Sequence, residues 1–122
     1  MTVNELFKQA LLLLNYTDAD GNVNVDVELN KRALPLVNQI YADVCSVIGN
    51  VEFTTLSSAS QTIPLPPTVL TNVMPYGVAM LIAQTAGDSD NQAVYAVLYN
   101  ARRSMARSTS ERIQNVAPTI LL

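Results

Sequence analysis

The stretch Pro67-Thr68-Val69-Leu70-Thr71-Asn72-Val73-Met74-Pro75-Tyr76-Gly77-Val78-Ala79-Met80-Leu81-Ile82-Ala83 decides the fold. Pro67 suits the first turn of a helix, where its missing donor costs nothing. Val69, Leu70, Val73, Met74, Val78, Met80, Leu81, Ile82 and Ala83 then follow at helical spacing. From Val78 to Ala83 the chain is apolar all round, the mark of a helix buried on every side. Pro75 and Gly77 disturb the middle, so a kink or a fresh start is expected near Pro75. Gly87 ends this helix.

Working outward, Asp88-Ser89-Asp90 supplies an N-cap for a last helix over roughly 89–113. Its apolar stripe is Ala93, Val94, Val97, Leu98, Ala101 and Met105, with Tyr95 and Tyr99 on a flank. Arg103 and Arg107 are four apart and share a face, with Arg102 beside them. Upstream, Thr2 and Glu5 form a capping box, so a first helix starts at about Val3 and carries Leu6, Phe7, Ala10, Leu11, Leu13 and Leu14. A second helix spans about Val25 or Asp26 to Ile48, stops at Gly49, and is kinked or divided by Pro35. Asp18-Ala19-Asp20-Gly21-Asn22 is superficially like a calcium loop. Counted from Asp18, the sixth position is Val23 rather than Gly and the twelfth is Leu29 rather than Glu, so these residues read as a turn.

Between the second and third helices the character changes. Val51, Phe53, Thr54, Thr55 and Leu56 are strand-like, Ser57 to Ser60 turn-like, and Gln61 to Ile63 strand-like again. This reads as a short β-hairpin or extended arm at about 51–66. A lone hairpin is marginal in water, so it lies on the helices or pairs with another chain through Phe53, Leu56 and Ile63. At the other end, Pro118 is expected to stop any helix, leaving residues 114–122 as an extended tail. That tail is nearly uncharged and ends Ile120-Leu121-Leu122, so it needs a groove. The expectation is therefore a mainly α protein: a four-helix bundle over 1–113 with the arm at 51–66 and a C-terminal tail.

Composition narrows function. Of the 122 residues 49% are hydrophobic and 14% charged, and no apolar run approaches the length of a bilayer span. No secretory signal is visible at the start, so the default compartment is the cytoplasm. With no histidine and one cysteine, a His-dependent triad is excluded and structural zinc is disfavoured. Cys45 reads as a small core hydrophobe. No residue is put forward as catalytic, cofactor-binding or metal-ligating, and the chain is not expected to be an enzyme. Residues 1–99 carry nine acids against three bases, whereas Arg102, Arg103, Arg107 and Arg112 face only Glu111 beyond them. An acidic body with a basic end favours head-to-tail docking between copies. The alternatives are a nucleic-acid-binding module using those arginines, a general protein-interaction module, or a chain whose arm and tail fold back on its own core.

The lead-in Leu65-Pro66, then Met74-Pro75-Tyr76-Gly77-Val78-Ala79, Ala86-Gly87-Asp88 and Tyr95-Ala96-Val97-Leu98-Tyr99-Asn100, resembles the small head–tail connector proteins of tailed bacteriophages, also called adaptor or head-completion proteins. The likeness covers about residues 60–107, and the two preceding helices agree in order and length. It implies a virion protein that forms a ring, twelve-fold if it follows the portal, beneath the portal at the capsid vertex. Its partners are then the portal, neighbouring copies, and a downstream neck or tail protein, with a channel contact to DNA as a further implication and no membrane. The portal or subunit interface falls to about Arg102 through Leu122: Arg102, Arg103, Arg107, Arg112, Ile120, Leu121 and Leu122. The implied location is the capsid vertex or neck, after synthesis in the host cytoplasm.

Overall fold

A computed structural model describes residues 1–17, 20, 27–49 and 51–121, with side chains left out at 27–28 and 108–121. The chain is mainly helical. Among the described residues there are six helical segments: α1 (Val3–Leu13), α2 (Val27–Lys31), α3 (Ala33–Ile48), α4 (Pro67–Asn72), α5 (Met74–Thr85) and α6 (Ser89–Leu121). The expected turn at Asp18–Asn22, apart from Asp20, and the expected helix start at Val25 or Asp26 lie outside the described residues.

Local chemistry sets the boundaries. Thr2 caps α1, its hydroxyl accepting from the Glu5 amide at 3.2 Å, the arrangement expected of a capping box. The long second helix is divided: α2 and α3 meet at Arg32, so Pro35 falls in the first turn of α3, where it removes no internal hydrogen bond. Val73 breaks the next pair in the same way, with Pro67 opening α4 and Pro75 in the first turn of α5. α3 ends at Gly49, whose φ of 93° suits glycine.

α1 and α5 terminate in matching Schellman motifs. Asn15 (φ 62°) and Gly87 (φ 73°) take the left-handed position. The Tyr16 amide then donates to the Leu11 carbonyl at 3.0 Å, and the Asp88 amide to the Ala83 carbonyl at 2.9 Å. Tyr16 and Asp88, the residues just past each turn, are joined by the Tyr16 hydroxyl donating to Asp88 Oδ2 at 2.7 Å. The C-termini of α1 and α5 are thereby held side by side where α6 begins.

The core is built around α5, which packs against α1, α3, α4 and α6. Met74, Val78, Ala79, Ile82 and Ala83 are fully buried, so the all-round apolar run is indeed a central helix. Val3, Leu6, Ala10 and Leu11 of α1 and Val37, Tyr41 and Val44 of α3 close over it. Each large side chain buried this way contributes about 1.5–3 kcal/mol. Cys45 is buried among them. Among the described residues no helix is long and apolar enough to cross a membrane.

Two sequence expectations are corrected. No strand forms among the described residues. The arm makes one isolated antiparallel bridge, Thr2 to Thr62, and the rest is irregular. Its second half bonds to the start of the chain, the Val3 amide donating to the Gln61 carbonyl at 3.2 Å, the Asn4 amide to Ala59 at 3.0 Å and the Ile63 amide to Met1 at 3.0 Å. At Leu56 a side chain replaces a strand partner: Asn38 Oδ1 accepts from the Leu56 amide at 2.8 Å and Asn38 Nδ2 donates to the Leu56 carbonyl at 2.9 Å. The second correction concerns the tail. α6 runs on to Leu121, through Pro118 and across the expected boundary at 113. Proline's fixed φ is a helical one, so it costs a hydrogen bond and some crowding four residues back without forcing the chain out of helix.

Gly77 is where α5 is approached most closely. A Cβ there would lie 2.8 Å from Tyr99 Cε1 and 2.9 Å from Ile40 Cγ2. Helix propensity alone favours alanine over glycine by up to ~1 kcal/mol, yet both neighbours are buried and cannot retreat cheaply. Gly77→Ala is expected to destabilise by about 1–3 kcal/mol in urea unfolding; an unchanged or raised midpoint contradicts this packing.

Candidate assembly surface

α6 turns the flank that carries its tyrosines, rather than its apolar stripe, toward the core. Its aliphatic stripe faces outward: Val94 is 53% exposed, Val97 70% and Met105 68%, with Ala93 and Ala101 exposed beside them. Turned inward are Tyr95, Tyr99, Arg102 and Arg103, together with Ala106. Of the apolar stripe read from the sequence, Ala93, Val94, Val97, Ala101 and Met105 thus lie on the outer face, and Leu98 is half-buried.

The inner face is held by polar clasps. Arg103 forks onto Asp43 of α3, Nε to Oδ2 at 2.7 Å and Nη2 to Oδ1 at 3.0 Å, a charge-assisted bidentate pair. The Tyr99 hydroxyl donates to Asp43 Oδ2 at 2.6 Å. Arg102 Nη1 donates to the Asn72 carbonyl at 3.1 Å, and its guanidinium lies 3.9 Å over the Tyr76 ring, a cation–π contact. The Tyr95 hydroxyl reaches the Leu13 carbonyl at 2.6 Å, satisfying an acceptor left open at the end of α1. At the N-terminus of α6, the Asp88 carboxylate accepts from the Asn91 amide at 3.3 Å and from Asn91 Nδ2 at 2.7 Å.

These contacts shift titrations. Hydrogen bonds from Arg103 hold the Asp43 carboxyl below its usual range, assisted by Tyr99 against a smaller cost of burial. Burial, then the hydrogen bond to Asp88, pushes the Tyr16 phenol up to about 12. Tyr99 is raised further, by burial first and by Asp43 second. The Asp88 carboxyl is lowered, mainly by Tyr16 and Asn91.

The residues expected to form interfaces therefore divide. Arg102 and Arg103 make contacts within the chain. Arg107 is exposed. Arg112, Ile120 and Leu121 lie on the helical extension of α6, and their side chains, like the whole of Leu122, lie outside the described residues. In the arm, Leu56 and Ile63 are 2% and 1% exposed in the chain's own core, so neither is available to a neighbouring subunit. Phe53 remains 38% exposed, its ring edge-on to Tyr41 at 5.0 Å. Sequence reasoning missed the outward stripe and Asp43. The clue to both was Gly77, which makes room for Tyr99.

Comparison with known proteins gives no relatives: no family model, no curated protein and no solved structure matches the chain.

The clasps predict opposite responses at the two ends of the pH scale. Asp43, lowered from 3.8, contributes stability that is present above that value and is lost as pH falls through its folded pKa. Tyr16, raised from 10.0 to about 12, contributes stability present below pH 10 and lost as pH rises through about 12. Absorbance at 295 nm should show Tyr16 and Tyr99 ionising later than free tyrosine; ordinary titration of all five tyrosines contradicts the clasps. Arg103 and Asp43 are 35% and 36% exposed. Solvent screens such a pair, so a double-mutant cycle with alanine is expected to give only about 0.5–1 kcal/mol; a coupling of zero contradicts the fork.

Proposed function

We propose that this chain is a structural virion protein of a tailed bacteriophage, a head–tail connector that forms a ring joining the portal at the capsid vertex to the neck or tail after DNA packaging. On this reading α1, α3, α5 and α6 are the four helices of a bundle, no catalysis is involved, and no cofactor is needed. The observation that carries it is α6 itself: 33 residues long, with Val94, Val97 and Met105 facing out. A helix of that length extends about 50 Å. An aliphatic stripe on its outer face is a surface for another protein rather than for water.

The residues behind the family resemblance also carry distinct structural duties. Gly77 admits Tyr99, Gly87 turns the chain, and Asp88 caps α6. Together they fix how α5 and α6 meet. The placement of Arg102 and Arg103 supports a protein-binding role over a nucleic-acid one, because their guanidinium groups are already paired inside the chain. Docking to the portal then falls to the distal part of α6, with Arg112 and the apolar Ile120, Leu121 and Leu122.

The test is co-sedimentation of the purified chain with the portal ring encoded in the same genome. The wild type is expected to co-migrate. Removing residues 119–122 together with Arg112→Glu should weaken the complex about tenfold or more, the loss of a buried apolar contact and a charge, while leaving helicity by circular dichroism unchanged. Failure to co-migrate contradicts the connector reading, and undiminished binding by the variant contradicts the C-terminal docking site.

A further inference from the structure

The geometry points to the outer edge of the arm, the backbone of Val51, Phe53 and Thr55, as a docking strand for an extended, basic segment of another protein. Unpaired though they are, residues 51–58 run without a bend or a turn, and Glu52, Phe53, Thr54 and Thr55 are all exposed. In extended backbone the N–H and C=O of one residue point to the same side, and those of the next to the opposite side. Asn38 fixes which side is which. It takes both the amide and the carbonyl of Leu56, so Leu56 faces α3. Thr54, two residues back, therefore faces α3 as well. Burial raises the Tyr41 phenol and the Thr54 amide draws it partly back, although the hydroxyl completes no hydrogen bond. Val51, Phe53 and Thr55 consequently turn their backbone groups away from α3.

Among the described residues the backbones of Val51, Phe53 and Thr55 make no hydrogen bond. Ser57, next in the same row, gives its amide to Gln61 Oε1 at 2.9 Å and so ends the free edge. What remains is a row of donor–acceptor pairs about 6.7 Å apart. Water can solvate such a row, but only another extended backbone matches its spacing. The row is also held before any partner arrives, by Leu56 in the core and by Phe53 against Tyr41. Little ordering entropy is then left to lose on docking, which favours strand addition at this edge.

Charge and symmetry select the occupant. Glu52 is the one charged residue from 51 to 66, and residues 1–99 carry nine acids against three bases. A strand with lysine or arginine opposite Glu52 is therefore favoured over a second copy of this acidic body. Two copies could also meet here only across a two-fold axis, since α3 occupies the other edge of each arm. The inference goes beyond the connector reading and does not depend on it.

The test is an NMR titration of the isotope-labelled full chain with the acetylated, amidated peptide Lys-Val-Thr-Val-Thr-Lys. It runs to about 1 mM, where weak contacts are populated. The amides of Val51, Phe53 and Thr55 are expected to shift and gain protection from exchange, while those of α6 stay put. Thr55→Pro removes a donor that the fold leaves unused, so it should keep the unfolding midpoint and weaken the peptide about tenfold. Glu52→Lys should also weaken it, and the peptide Glu-Val-Thr-Val-Thr-Glu should bind that variant better than the wild type. No change at these amides at the highest concentration, or undiminished binding by Thr55→Pro, overturns the proposal. So does protection of the same amides in the chain alone together with dimers in sedimentation, which would make a second copy the occupant. Peptide binding without portal co-sedimentation would sink the connector reading alone; co-sedimentation without peptide binding would sink this one alone.

Discussion

Tyr99 packs its ring against Gly77 of α5 and carries its hydroxyl to Asp43 of α3, so three helices meet at one side chain. Because the approach leaves no room for a Cβ at position 77, α6 has one rotational setting on the bundle. That setting brings Tyr95, Arg102 and Arg103 inward at helical spacing and turns Val94, Val97 and Met105 outward. The exposed stripe is thus a consequence of the clasp. Without Tyr99 in its slot, α6 would be free to roll its aliphatic face onto α5, the ordinary result for an amphipathic helix.

Polar attachment of a helix whose outer face is apolar has an energetic meaning. Tyrosine buries a large ring and needs a partner only for its hydroxyl, and Asp43 and the Leu13 carbonyl supply those partners. The inner face is therefore stabilised without consuming the aliphatic residues. They remain on the outer face of α6, available for contact in the assembly proposed above.

Much of the fold was legible in the chain, and the physical reasons are local. Thr2 with Glu5, Pro35, Pro67, Pro75, Gly49, Gly87 and Asp88 each act within a turn of where they sit, so helix starts and stops followed from them. The face of α6 did not, because periodicity treats tyrosine and arginine as polar, whereas here a distant carboxylate, Asp43, makes their burial favourable. Of the two forms expected for the arm, the hairpin did not appear for a similar reason: β-propensity over 51–56 was sound, but Asn38, eighteen residues from Leu56, supplies both hydrogen bonds that a strand partner would have made there. The end of α6 was misread because Pro118 was given the power to stop a helix already under way.

The central claim, that α6 presents its aliphatic stripe to solvent while its tyrosines face the core, can be measured in the dilute protein. A soluble paramagnetic agent should strongly relax the methyl resonances of Val97 and Met105 while sparing Val78 and Leu11, which are fully buried. Protection of Val97 and Met105 at the level of Val78, with the Tyr99 ring relaxed instead, would contradict the account.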